Sequence, residues 1–166
     1  MKKIFLIAAL LITSLSFAQQ EVKLDIADAL VFKTIEVSYE QYLSDISSVG
    51  ISVLFNFEKK GSDLKYNEKR MFTPFYRHYF SSERQWNMFG EAFLGINSGE
   101  KELITNNVIT GYQDYTDGAI GVAVGTKYVA DNGLVIDIYA GVGRNLFGSN
   151  SPIIVPRAGV NVGYRF

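Results

Sequence analysis

The stretch that decides the fold comes last: Val160-Asn161-Val162-Gly163-Tyr164-Arg165-Phe166. Val160, Val162, Tyr164 and Phe166 fall at alternate positions, with Asn161, Gly163 and Arg165 between them. Side chains of a β-strand point alternately to two faces. The segment therefore reads as a strand with one bulky apolar face and one face of polar, charged and glycine residues. A helix would divide the apolar residues between opposite sides of its surface.

The same period recurs upstream. Strand-like runs are expected at residues 22–30, 34–43, 48–58, 71–80, 86–97, 118–130, 133–145 and 154–166. That makes eight, an even number, as an up-and-down barrel with both termini at one end requires. Short connections are expected after the second, fourth and sixth runs: Ser44-Asp45-Ile46, Ser81-Ser82-Glu83-Arg84-Gln85, and Asp131-Asn132 before Gly133. The last is a tight-hairpin signal, because Asn and Gly tolerate positive φ. Longer polar loops are expected at 59–70 and 98–117, a further loop at 147–153, and a short one near Phe32 and Lys33. Short turns at one end and long loops at the other are the asymmetry of outer-membrane barrels.

The N-terminus reads as an address. Lys2 and Lys3 precede an apolar run from Ile4 to Ile12, and Ser16-Phe17-Ala18 supplies a small-x-small site before Gln19. This is the layout of a cleavable signal peptide over 1–18, leaving a barrel over 19–166. The competing assignment is a buried N-terminal helix. The apolar run is shorter than the roughly 20 residues a spanning helix needs.

Composition narrows the classes. The 166 residues carry a formal net charge of -1, which offers no basic footprint for nucleic acid. With no cysteine, disulfides and thiolate chemistry are excluded. Glycine occurs 15 times and aromatics make up 14%, a mixture that favours β-structure with close internal approaches. No linker and no second domain are expected.

Which face points where is argued from size. Val49, Ile51, Val53, Phe55 and Phe57 oppose Gly50, Ser52, Asn56 and Glu58, with Leu54 as an exception. Ile120, Val122 and Val124 oppose Gly121, Ala123, Gly125 and Lys127. Leu134, Ile136 and Ile138 oppose Asp137, Gly141 and Gly143, with Val135 and Tyr139 as exceptions. The apolar face is uniformly bulky, and a glycine-and-charge face makes a poor exterior in water. The pattern is consistent with apolar groups facing lipid. An eight-stranded barrel is just wide enough for side chains to fill. Phe75, Arg77 and Tyr79 are placed inward, with Gly159 and Gly163 of the opposite strand leaving them room. The inward charges expected are Glu36, Glu40, Glu58, Glu91 and Asp137 against Arg77, Lys127, Arg157 and Arg165. Such a balanced set suits an ion-paired plug, since a buried charge is costly unless paired. An ion or proton pathway is the competing reading. Aromatics near strand ends (Tyr39, Phe55, Phe57, Phe72, Phe80, Trp86, Tyr128, Tyr164 and Phe166) are candidates for interfacial girdles.

The terminal strand resembles the C-terminal assembly signal of outer-membrane proteins, carried here by Val160, Val162, Tyr164 and Phe166. The mature chain is similar to the small eight-stranded bacterial outer-membrane barrels of the OmpA/OmpX/OmpW-like group. It looks closest to an uncharacterised barrel family of that shape. Ser38-Tyr39-Glu40-Gln41 and Pro74-Phe75-Tyr76-Arg77-His78-Tyr79-Phe80 resemble that family's second and fourth strands. The resemblance implies location in the outer membrane, contact with outer-membrane lipids, and recognition by the barrel-assembly machinery. It identifies no cofactor and no partner for the surface loops. No peptidoglycan-binding domain is expected after the barrel.

Catalytic constellations are weak. Some eight-stranded outer-membrane barrels modify lipid A, and their site resembles a His-x-Ser pair on one strand face. Here the single histidine is His78, and the nearest following serine, Ser81, falls on the other face. His78 reads instead as an outward interfacial residue. Glu36 and Glu40 share a face but stand about 13 Å apart along a strand, beyond glycosidase spacing. Gly141-Val142-Gly143-Arg144 does not complete a dinucleotide fingerprint. The stretch after Glu58 lacks phosphate-loop spacing, and Asp114 with Asp117 gives a thin cation site. The reading is a non-enzymatic outer-membrane barrel serving envelope structure or surface interaction. The alternatives are a lipid-modifying enzyme and a soluble secreted barrel with an apolar ligand inside.

Overall fold

Eight strands follow one another round a closed ring in a computed structural model that describes residues 19–31, 33–57, 68–81, 85–105, 108–148 and 151–166. They are β1 (Gln20–Asp25), β2 (Thr34–Ser44), β3 (Ser47–Asn56), β4 (Glu68–Tyr79), β5 (Trp86–Thr105), β6 (Val108–Val129), β7 (Leu134–Asn145) and β8 (Ile154–Arg165). One short helix, α1 (Ile26–Val31), joins β1 to β2. Every neighbouring pair is antiparallel. The first and last strands close the ring through Glu21↔Arg165, Lys23↔Gly163 and Asp25↔Asn161. Closure leaves the ring no free sheet edge. Among the described residues, no helix is long and apolar enough to cross a membrane.

Both chain ends of the barrel lie at the end with the tight turns. The turn after β6 forms as Asp131-Asn132-Gly133 suggests: Gly133 has φ of +87° and donates its N–H to the Ala130 carbonyl at 2.9 Å. The Asn132 side chain accepts the Leu134 N–H at 3.1 Å. A residue with a Cβ would be strained at Gly133.

The alternation holds along most strands. Val122 is 61% exposed, and Ile120, Val124, Val142 and Ile154 stand on the same outer wall. The exceptions read from the sequence, Leu54, Val135 and Tyr139, are all buried inside. His78 points outward, its ring edge-on to Phe80 at 5.8 Å. The terminal residues Tyr164 and Phe166 are exposed on the outer wall, while Val160 and Val162 are half-buried. The expected girdle residues Phe55, Phe57, Phe72, Phe80, Trp86, Tyr164 and Phe166 are exposed, and Tyr39 and Tyr128 are half-buried.

Four expectations are corrected. The first strand, expected over 22–30, spans Gln20–Asp25, and the chain then turns into α1. Ala27, Asp28, Ala29 and Leu30 lack the β-branched side chains that favour extension. Lys33 then adopts a positive φ of 53° before β2 begins. The polar segment 98–117 was expected to be a loop; it is strand almost throughout, pairing from Ser98↔Thr116 up to Thr105↔Val108. Glu68, Lys69 and Arg70, placed in a loop, belong to β4.

Gly159 and Gly163 do not make room for β4. A Cβ at Gly159 would meet the Asp25 carboxylate and the Tyr139 hydroxyl; one at Gly163 would meet Lys23 and the Val22 carbonyl. Interior aromatics lie instead against glycines directly across on an adjacent strand. Phe75 faces Gly50, Phe93 faces Gly121, Phe89 faces Gly125, and Tyr139 lies between Gly125 and Gly159. A Cβ at Gly50 would fall 2.3 Å from the Phe75 ring, and one at Gly121 equally close to Phe93. Each of these Phe rings thus occupies the space that a Cβ on the neighbouring strand would need. The proposed signal peptide, Glu58 and most of the expected loop 59–70 lie outside the described residues.

Candidate functional site

The interior charge network is the candidate site, and it is built from the tight-turn end upward. At that end Arg165 of β8 donates to the Glu21 carboxylate from Nε at 2.9 Å and to the Tyr42 hydroxyl at 2.8 Å. Lys127 of β6 bonds Glu21 at 2.6 Å and Glu40 at 2.9 Å, and lies 5.0 Å from the Tyr79 ring centre.

The centre of the barrel holds five fully buried ions. Lys23 pairs with Glu40 and, at 2.8 Å, with Asp137. Arg77 reaches Asp137 at 2.7 Å, Glu40 at 3.1 Å and Glu91 at 2.6 Å. Its guanidinium lies over the Phe89 ring at 4.2 Å, and the Phe75 ring is 4.8 Å away. Glu40 accepts further hydrogen bonds from Ser48 and Tyr79. Above this, Arg157 pairs with Glu91 at 3.0 Å and Glu36 at 3.3 Å, and its guanidinium also reaches the Ser52 hydroxyl.

Within these ion pairs the charges balance, while Asp25, Glu68 and Asp117 are further buried carboxylates. Glu21, Glu36, Glu40, Glu91 and Asp137 stand against Lys23, Arg77, Lys127, Arg157 and Arg165. Each of the eight strands contributes at least one partner, β3 through Ser48 and Ser52. Desolvating ten ions is expensive, and only multiple pairing with good hydrogen bonds offsets it. Closing the ring completes the network, so these contacts favour this barrel register over a slipped one, which would turn the charges outward.

An apolar layer covers the network on the side away from the tight turns: Leu54, Met71, Phe75, Phe93, Ala119 and Val155. Beyond it Asn97 donates to Asn145 at 2.8 Å. Asp117 then organises the loop end. Its carboxylate accepts the backbone N–H groups of Gly118, Phe147 and Gly148 at 2.7, 2.9 and 2.7 Å, and the Ser151 hydroxyl as well.

All eight interior charges named from the sequence within the described residues (Glu36, Glu40, Arg77, Glu91, Lys127, Asp137, Arg157 and Arg165) meet in this one network. Glu21 and Lys23 join the network without being among the charges expected there. Their signal was present: Glu21, Lys23 and Asp25 alternate with Val22 and Leu24. Among the described residues, no group of three or more His, Asp or Glu is placed to hold a metal ion. His78 is remote from the network on the outer wall. The bulky apolar face is turned outward, and the described interior carries the ion pairs with two clusters of buried apolar and aromatic side chains.

This is the fold of the small eight-stranded outer-membrane barrels. The N-terminal β-barrel domain of Pseudomonas aeruginosa OprF superposes with a TM-score of 0.57 at 16% identity, covering 90% of this chain and 96% of that one. Ail, the attachment invasion locus protein of Yersinia pestis, gives 0.52 at 10% identity, over 90% and 97% of the two chains. Neisserial surface protein A gives 0.51 at 12% identity, over 89% and 92%. No protein-family model matches the chain, and no curated protein matches it by sequence. At these identities the likeness is one of fold.

Proposed function

We propose that this chain is a non-enzymatic barrel of a bacterial outer membrane, sealed by its interior, that serves envelope structure or surface interaction. The observation that carries the reading is the inversion of an ordinary soluble protein. Ten paired charges fill the inside, while isoleucine, valine, leucine and aromatic side chains cover the wall. An apolar wall of that extent in water would far exceed the few hundred Å² that a soluble monomer exposes. Facing acyl chains, it costs nothing. The structural neighbours named above support the same location.

Surface interaction falls to the ribbon formed by the ends of β5 and β6. Pairing between β4 and β5 stops at Glu68↔Gly99, and pairing between β6 and β7 starts at Ala119↔Asn145. Among the described residues, 101–105 and 108–114 therefore pair only with each other, as a two-stranded arm at the end opposite the tight turns. By the usual orientation of such barrels, with short turns toward the periplasm, the arm faces the cell exterior. Membrane lipids bathe the wall, and the terminal strand with Tyr164 and Phe166 is the segment the barrel-assembly machinery reads.

The test is heat-modifiable migration. The mature protein, refolded in detergent or lipid, is expected to run faster unboiled than boiled and to resist protease in the unboiled form. A monodisperse monomer in detergent-free buffer with no heat shift would overturn the membrane assignment.

A further inference from the structure

Beyond the apolar layer, at the end away from the tight turns, the interior holds a second polar cluster. Glu68 of β4, Asn97 of β5, and Tyr115 and Asp117 of β6 are all buried there. They surround one position, Gly99 of β5, which has no side chain. Gly99 pairs with Glu68 on one side and with Tyr115 on the other, and its neighbour Asn97 pairs with Asp117. Three adjacent strands at about 4.8 Å spacing thus gather four side chains around one gap. Glu68 and Asp117 are the charges that face the Tyr115 hydroxyl. The outward residues at this level, Arg70, Asp114 and Thr116, are exposed and polar, which puts the cluster past the apolar band and within reach of aqueous ions.

A bulge aims Glu68 into the cluster. Alternation counted from Phe72 and Arg70 would leave Glu68 on the outer face. Between Glu68↔Gly99 and Arg70↔Ser98 the register slips by one residue, Lys69 being extra, and Glu68 turns inward. Bulges re-aim side chains in this way next to functional sites.

The cluster is rich in acceptors and short of donors. Among the described residues, no cation approaches the Glu68 carboxylate, and the N–H it accepts is its own. Asn145 donates to the Pro152 carbonyl at 2.8 Å, which turns its amide oxygen toward Asn97. Asn97 meets that oxygen with its NH2 group at 2.8 Å, so its own Oδ1 is left buried without a partner. The Tyr115 hydroxyl is likewise buried without a partner. Asp117 adds charge but no free lone pair, since its oxygens already accept three backbone N–H groups and the Ser151 hydroxyl. The ion pairs deeper in the barrel neutralise one another; here two carboxylates stand without a basic side chain among the described residues. A buried charge is costly unless paired, and one divalent cation would answer both. Carboxylate and amide oxygens with water are the ligands of calcium, whereas magnesium holds a strict octahedral shell and gives up its water reluctantly.

We infer that this cluster binds one calcium ion through the Glu68 carboxylate and Asn97 Oδ1, with the Tyr115 hydroxyl and water completing the shell and Asp117 adding its charge. Asp117 also holds the backbone of Phe147 and Gly148, so the ion ties the loop end to the mouth of the barrel. Asp114, paired with Asp117 in the sequence reading, takes no part: it is exposed on the outer face.

The experiment uses the whole barrel refolded in a zwitterionic detergent free of acidic lipid, with the heat shift checked first for every variant, so that loss of the fold is separated from loss of the site. Radioactive calcium is the probe, in equilibrium dialysis. The wild type is expected to bind one ion with a Kd of about 10⁻⁴–10⁻³ M, the range of extracellular sites. Glu68→Gln keeps the size of the side chain and removes its charge; it should weaken binding by about tenfold or more. Asn97→Leu should weaken it in the same direction, and Asp114→Asn should leave it unchanged. Calcium should also slow proteolysis around 147–151 in the wild type and not in Glu68→Gln. A wild type that binds no calcium at about 10 mM, ten times the weak end of that range, would overturn the site. So would binding that survives Glu68→Gln, or binding lost in Asp114→Asn, which would put the ion on the outer surface.

Discussion

The closed barrel and the projecting arm use the same secondary structure under opposite conditions. In the barrel, each strand has two neighbours and an inward face that must be satisfied without water. Lys23, Glu40, Arg77, Lys127 and Asp137 meet that demand by pairing across the ring rather than along it. In the arm, β5 and β6 pair only with each other among the described residues, and Lys101, Leu103, Thr110, Tyr112 and Asp114 are exposed. The barrel is held by contacts that exist only when all eight strands are in place. The arm is held by local pairing that survives or fails alone. Stability should therefore be concentrated in the ring, and tolerance to change in the arm.

The sharpest way to break this comparison is Arg77→Met. It takes one cation from Glu40, Glu91 and Asp137, which keep only Lys23, Lys127 and Arg157 in a site closed to water, and should destabilise the barrel by about 3–5 kcal/mol. Denaturant unfolding in detergent micelles reads the effect. A wall substitution comes next: Val122→Arg should cost about 2–4 kcal/mol if that position sits near mid-depth, measured by the same unfolding in lipid. Gly121→Ala adds a Cβ against the Phe93 ring and should cost about 1–3 kcal/mol by overpacking. Asp117→Ala removes the acceptor for three backbone N–H groups; it should open the chain around 147–151 to protease while moving the global unfolding midpoint little. The smallest effect is expected for the arm. Replacing residues 101–113 by a two-residue Asn-Gly turn should change barrel stability by less than about 0.5 kcal/mol. A large loss on trimming the arm would show that it supports the ring.

The sequence makes the wall and most of the interior legible because the two faces differ in chemistry at every second residue. Strand six can be read directly: Ile120, Val122 and Val124 stand outside, with Ala123 and Lys127 inside. Where that contrast lapses, the reading fails. None of the described side chains from 100 to 114 is buried, so Glu100, Lys101, Gln113 and Asp114 look like loop residues although their backbones are paired. At the end of β1 the run Ile26-Ala27-Asp28-Ala29-Leu30-Val31 is too short to show a period, and the turn into α1 is not signalled.

The role of the glycines was legible only as a demand for space. Which side chain fills that space depends on register, and register places Phe75 over Gly50 on the next strand rather than over Gly159 across the ring. The network itself was read from strands two, four, five, six, seven and eight. Of its first-strand members, Glu21 lies one residue before the expected strand 22–30, whereas Lys23 lies within that strand on the face it shares with Glu21 and Asp25.

The central claim is that the apolar wall faces lipid, and Trp86 reports on it without any substitution. It is the single tryptophan of the chain, half-exposed on the outer wall at the tight-turn end, with its ring 5.1 Å from that of Tyr128. The measurement is its fluorescence quenching by lipids brominated at graded depths, with the protein refolded into those bilayers. The account predicts strong quenching by bromines near the headgroups, weaker quenching by bromines at the bilayer centre, and poor access for aqueous acrylamide. Quenching by acrylamide as for free tryptophan, with no effect of lipid bromine at any depth, would contradict it.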